Sequence, residues 1–154
     1  MASKRIAIVL GGSGSVGTAL LRELLHDDGF DAIITLSRRS LPELVAMARD
    51  AGRTLVEKLV ADMKPTPLSA ATMEAARELD GDVEGFSVLG VGAGTAKLTL
   101  EEHRAVDVAL NEAFARGLRL TASIGETSPT YRYEREVENF FRHSPAVVHP
   151  DRRL

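Results

Sequence analysis

The sequence predicts an α/β fold: a doubly wound, mostly parallel sheet of six strands with helices on both faces. Three observations support it. Short apolar runs rich in β-formers alternate with segments of helical period, the pattern of strands joined by crossover helices. The chain has 154 residues, 44% of them hydrophobic, enough for one sizeable core and little for two, so a single domain over 1–154 is expected. A glycine-rich stretch, VLGGSGSVGTALL over residues 9–21, stands where the first strand would hand over to the first helix.

The expected strands are RIAIVL (5–10), AIITL (32–36), TLVEKLV (54–60), GFSVLG (85–90), LRLTAS (118–123) and AVVH (146–149), and only the third reads as half-exposed. The first helix follows the glycines, with Val16, Leu20 and Leu24 at helical period. The second opens at Ser40 in SLPE, a capping box in which the Ser40 hydroxyl accepts from the Glu43 amide while Glu43 reaches back; Gly52 supplies its stop. A third covers 69–80. The fourth opens at Thr99 in TLEE, a second capping box, and Val106, Ala109, Leu110, Ala113 and Phe114 form an apolar stripe that Gly117 ends. The fifth covers 129–142, with Ser128 as cap and Pro129 at the first helical position.

Composition narrows the function. A formal net charge of -3 with 27% charged residues lacks the basic excess that binding to a phosphate backbone requires, so nucleic acid is not the expected partner. The absence of cysteine excludes disulfides, thiolate nucleophiles and zinc–thiolate sites. The opening apolar run, IAIVL, is too short for a signal-peptide core or a membrane span, and a cytoplasmic location without membrane association is expected.

The glycines then acquire a purpose. Between a strand and a helix, Gly11 permits a tight turn, Gly14 lets backbone approach a pyrophosphate, and Gly17 allows close packing of the helix. The helix N-terminus adds unpaired N–H groups and about half a positive charge. The plainer alternative is a flexible turn or a helix stop. On the nucleotide reading, Gly11, Ser13, Gly14, Ser15, Val16 and Gly17 form the phosphate cradle. After the second strand the chain reads SRRS: Ser37 occupies the position where NAD enzymes place an acid, and Arg38 and Arg39 follow. Paired guanidiniums suit a 2′-phosphate, so NADP is expected over NAD; a solvated loop with two surface arginines is the alternative.

Taken in order, VLGGSGSVG, SRRS, LVADM, VLGVGAG, RAVD and TASIGETS resemble the atypical short-chain dehydrogenase/reductases, and within them the Tat-interacting-protein-like NAD(P)-binding oxidoreductases. The likeness covers most of the chain and is strongest at the N-terminal glycines. It implies a Rossmann fold with NADP along the carboxyl ends of the strands. It implies further that Asp62 and Met63 border the adenine and that Gly90, Gly92 and Gly94 lie along the cofactor, although Gly92 to Gly94 also read simply as a flexible loop. By the same likeness Ser123 matches the family's catalytic serine, and Tyr131 with Arg135 matches the spacing of its Tyr-x-x-x-Lys, with arginine in the lysine's place. Arginine can favour a tyrosinate by its charge, but its planar head does not reproduce a lysine's contacts. The segment between Ser123 and Tyr131 is short for the family.

Helical spacing puts Tyr133, Val137, Phe140 and Phe141 on one packed stripe, so Tyr131 and Arg135 point away from it, toward either a cofactor or water. Asp107 matches a helix position where relatives carry Asn or Asp, while an acid in an exposed turn is the blander account. No two of His26, His103, His143 and His149 show the spacing of a helical metal site, so no metal is expected; His149, at the end of the last strand, could reach a substrate. The expected activity is hydride transfer between NADP(H) and a small carbonyl or alcohol, with Tyr131 as general acid helped by Arg135, and Ser123 on the substrate oxygen. The alternatives are a non-catalytic NADP-binding regulator or scaffold, favoured by the missing lysine and by a C-terminal end at HPDRRL that leaves the substrate-covering part short, and a domain whose cleft binds no dinucleotide. A homodimer through helices 99–116 and 129–142 matches the pairing in relatives.

Overall fold

A computed structural model describes residues 3–91 and 97–122. The order is β1 (Arg5–Leu10), α1 (Ser15–His26), β2 (Ala32–Ser37), α2 (Pro42–Asp50), β3 (Thr54–Leu59), α3 (Pro65–Glu78) and β4 (Asp82–Ser87). A last helical run follows: α4 (Leu100–Arg104), a π-helical stretch (Ala105–Leu110) and α5 (Asn111–Ala122).

The described strands form one parallel sheet of four in the order β3-β2-β1-β4. The chain winds outward from β1 to β3, then crosses through α3 to the other side of β1. Alternation along β1 divides the core in two. Ile6, Ile8 and Leu10 pack with Ile34, Leu36, Leu68, Leu110 and Phe114 under α3 and α5. Ala7 and Val9 pack with Leu21, Leu24, Leu25, Ile33 and Leu44 under α1 and α2. Strands buried on both faces read as continuous apolar runs, which is why IAIVL and AIITL were legible. At the amino end Arg5 joins the sheet: its guanidinium donates to Glu84 at 2.6 Å and its amide to Asp31 at 2.8 Å.

This architecture is the Rossmann-type α/β fold with helices on both faces that the alternation predicts, and several elements depart from expectation within it. The fourth strand starts at Asp82 instead of residue 85 and ends at Ser87, because its register against β1 pairs Arg5 with Asp82; the charged Asp82 and Glu84 hid its start. It is also as open as β3, since among the described residues it forms an edge of the sheet. Helix α3 begins at Pro65, earlier than residue 69, and accommodates Pro65 and Pro67 in a first turn whose N–H groups have no intrahelical acceptor. Val16 is 66% exposed, and the buried residues of α1 are Gly17, Leu21, Leu24 and Leu25. Gly52, with φ of +65°, follows α2 as expected of a helix stop. The sixth strand expected at 146–149 and the helix expected at 129–142 lie outside the described residues.

The largest correction concerns residues 118–123. LRLTAS was expected to be a strand and Gly117 a helix stop, yet α5 continues through Gly117 to Ala122. The apolar stripe simply runs on, since Leu118 extends the Leu110, Phe114 spacing and packs on the same core. Gly117 serves contact between helices: a Cβ there would lie 2.6 Å from the Ser69 carbonyl oxygen and 2.6 Å from Thr72 Cβ, both on α3. Alanine normally stabilises a helix interior over glycine by about 1 kcal/mol. Here Gly117→Ala is expected to cost about 1–3 kcal/mol in urea unfolding, because the two helices must separate; a gain in stability would contradict the close packing.

Candidate functional site

In a parallel sheet all carboxyl ends lie on one side, and the register sets Leu10 beside Leu36 and Ser87, and Ser37 beside Leu59. The segments after the four strands therefore meet along one edge, at the crevice where the winding changes direction.

The turn after β1 has the geometry assigned from its glycines. Gly11 has φ of +88°, a conformation that L side chains avoid, and a Cβ there would lie 2.8 Å from the Leu89 amide nitrogen. The Gly14 amide donates to the Gly11 carbonyl at 3.2 Å, closing the turn. Gly17 brings the first turn of α1 against that same carbonyl, where a Cβ would sit only 2.1 Å from the oxygen. Gly12, to which no role was assigned, is equally constrained: its Cβ would meet Leu21 Cδ1 and Thr35 Oγ1, each at 2.7 Å. The signal was its place as the second of two adjacent glycines leaving a buried strand.

What the turn presents outward is an unfilled helix start. Helix α1 has Gly14 as N-cap, receives no side-chain capping bond, and carries no acid in its first turn. The orphan amides of that turn are thus open to an anion. A Cβ on Gly14 would meet nothing closer than the Gly11 carbonyl oxygen at 3.6 Å, so the glycine leaves room on the outer side of the turn. Ser13, Ser15 and Val16 are exposed around it. These residues fit a diphosphate.

The β2 end carries the arginines. Arg38 and Arg39 are exposed, and among the described residues neither is paired with another side chain. Ser37 is buried and its hydroxyl donates to the Arg39 carbonyl at 2.7 Å, so it braces the loop from within. The expected Ser40 capping box does not form: α2 starts at Pro42, and Ser40 instead donates to Glu57 on β3 at 2.9 Å. With Leu41 as N-cap, Glu43 stands at the second helical position instead of the third, and Glu57 accepts from the loop.

After β3, Asp62 is exposed and ion-paired with Lys64 at 3.2 Å, and Met63 packs on the core beside α3 and α5. After β4, the segment from Val88 to Val91 is tied to the last helical run. Asp107 accepts from the Val91 amide at 3.0 Å, and Asn111 donates to the Leu89 carbonyl at 3.3 Å and to the Asp107 carbonyl at 2.9 Å. The Ser87 hydroxyl donates to Asn111 Oδ1. Asp107 is therefore more than an acid in an exposed turn, since it fixes the loop beside Gly90. Asn111 was missed, although its spacing of one turn from Asp107 places both on the face toward β4. The Thr99 capping box forms as expected, and donation from the Thr99 amide and hydroxyl holds the Glu102 carboxyl below its usual range. His26 lies exposed on α1, bonded to the Arg22 carbonyl, and His103 stands 4.0 Å from Asp107. Gly92, Gly94, Ser123, Tyr131, Arg135, His143 and His149 lie outside the described residues.

Several solved structures share this fold. A 3-oxoacyl-[acyl-carrier protein] reductase from Brucella melitensis matches with a TM-score of 0.66 and 16% identity over 82% of this chain and 54% of its own. A short-chain dehydrogenase/reductase from Serratia marcescens matches with a TM-score of 0.60 and 21% identity over 77% of this chain and 51% of its own. An NADPH-bound carbonyl reductase from chicken fatty liver matches with a TM-score of 0.60 and 14% identity over 79% of this chain and 49% of its own. The chain thus spans about half the length of these structures. No family model and no curated protein sequence matches it.

Two substitutions distinguish the roles of the glycines. Gly17→Ala must push α1 away from the turn and is expected to lose about 2 kcal/mol or more on chemical denaturation, whereas Gly14→Ala meets open space and should stay within about 1 kcal/mol. Equal stability of the two variants would contradict the packing described.

Proposed function

We infer that the chain binds NADP(H), with the diphosphate on the amides of Ser13 and of Ser15 to Gly17 and the 2′-phosphate between Arg38 and Arg39. One observation carries the reading: an uncapped helix start without acids and two guanidiniums with no side-chain partner among the described residues lie at the same edge of the sheet. Each is a cationic feature that no acidic side chain among the described residues neutralises. Asp62, Met63, Gly90 and Gly92 border the adenosine and nicotinamide halves on this reading. The NADPH bound to the carbonyl reductase of the same fold supports the choice of ligand.

When bound, the nicotinamide supplies or accepts the hydride, and the reaction is reduction of a small carbonyl or oxidation of an alcohol. Tyr131 donates the proton to the carbonyl oxygen, Ser123 hydrogen-bonds that oxygen, and the Arg135 charge favours release of the Tyr131 proton. The helices that would pair in a homodimer include the 100–122 run, on which Leu100 and Val108 are exposed. A second reading, an NADP-binding regulator without turnover, is favoured by Arg135 standing where the resembling family has lysine.

Titration with NADPH and NADH, followed by a carbonyl screen read by loss of NADPH absorbance, tests both. Arg38→Ala with Arg39→Ala should weaken NADPH binding by about 100-fold, or about 2.7 kcal/mol, and NADH binding by far less; equal losses would remove the 2′-phosphate assignment. Tyr131→Phe should abolish turnover while leaving NADPH affinity intact, and binding without turnover in the wild type would favour the regulator.

A further inference from the structure

The two arginines belong to a loop of three residues, Arg38 to Ser40, anchored at both ends. At the β2 end the Ser37 hydroxyl donates to the Arg39 carbonyl at 2.7 Å, and the Ser37 carbonyl accepts from the Val60 amide at 2.9 Å. At the α2 end the anchor is Glu57, in the middle of β3, half-buried and in register with Thr35. One of its carboxylate oxygens accepts from the Ser40 hydroxyl at 2.9 Å and the other from the Leu41 amide at 2.5 Å. Leu41 is the N-cap of α2, so Glu57 reaches across 16 residues of sequence to hold the helix start. Both oxygens are committed to the loop itself and, among the described residues, neither to a guanidinium. The acid shapes the loop without neutralising the cations it presents.

We propose that Glu57 is the positioning residue for discrimination between NADPH and NADH, acting through Ser40 and Leu41 on the attitude of Arg38 and Arg39. This rests on the 2′-phosphate reading above. A planar guanidinium grips a phosphate through paired, directional bonds, so its contribution depends on the orientation of the loop as well as on charge. With both ends of a three-residue loop held, the arginines lose few alternatives on binding. Released from Glu57, the same charges sample many directions and the paired geometry is diluted. NADH has no 2′-phosphate and does not feel the difference.

The sign of the effect separates this role from simple electrostatics. Removing an acid beside two arginines would, by charge alone, tighten binding of the more anionic NADPH. The positioning role requires the opposite for Glu57→Ala: NADPH affinity falls about tenfold while NADH affinity changes less than about twofold. Glu57→Gln keeps an acceptor for the Leu41 amide and removes the charge, so it should bind NADPH at least as tightly as the wild type. Ser40→Ala loses one of the two bonds and should fall between.

Both dinucleotides are titrated against each full-length variant, with a thermal melt of each. Glu57→Ala that is less stable yet keeps or increases its NADPH preference would show a helix cap only and overturn the role. Should Glu57→Ala not fold, an unchanged preference in Ser40→Ala would overturn it equally. A wild type that binds neither dinucleotide would sink the functional reading and this role with it, whereas loss of the role alone leaves the wild-type preference for NADPH standing.

Discussion

The first turn of α1 rests directly on the carbonyl of Gly11, and it can do so only because residue 17 has no Cβ. That contact decides how far the helix sits from the end of β1 and which way its amides face. A methyl group at Gly17 would lie 2.1 Å from the oxygen, a distance that no adjustment of a flexible side chain relieves, because both partners are backbone. Around it the turn is compact: Gly12 closes on Leu21 and Thr35 beneath, and the Thr18 hydroxyl bonds the Gly12 carbonyl at 3.2 Å. Rigid backbone with its N–H groups facing out is the arrangement that receives an anion without first having to reorganise.

The sheet supplies the rest by topology. Reversal of the winding beside β1 brings four loops to one edge, and side chains from distant parts of the sequence hold two of them. Asp107 and Asn111 hold the segment after β4, and Glu57 holds the loop after β2. The π-helical stretch that contains Asp107 is the irregularity expected where a helix is adjusted to a site. In each case the acid or amide satisfies backbone groups at a loop, which leaves the loop's outward surface available.

Much of this was legible because the signals were local. Strands β1 and β2 are predominantly apolar runs, and the Thr99 capping box needs only residues within one turn. The glycine spacing reports the turn because each glycine answers a nearby steric demand. What failed was set by distant partners. Gly117 reads as a stop when only its own helix is considered, and its purpose becomes visible once α3 is packed so close that an added Cβ would lie 2.6 Å from the Ser69 carbonyl oxygen. Ser40 looks like a cap for Glu43, but Glu57, on the neighbouring strand, is the better-placed acceptor. The charged face of β4 masked its first residues because the alternation that marks an exposed strand is interrupted by Gly85. The SRRS loop was legible as a cationic feature, while the acid that orients it was not.

Amide spectra of the isotopically labelled chain, recorded as NADP⁺ is added, test the central contact most directly. The account predicts that the Ser13, Ser15, Val16 and Gly17 signals move first and furthest, saturating together with those of the Arg38–Arg39 loop. Signals of the glycine turn that stay fixed while other regions respond, or that respond to no added dinucleotide, would contradict it.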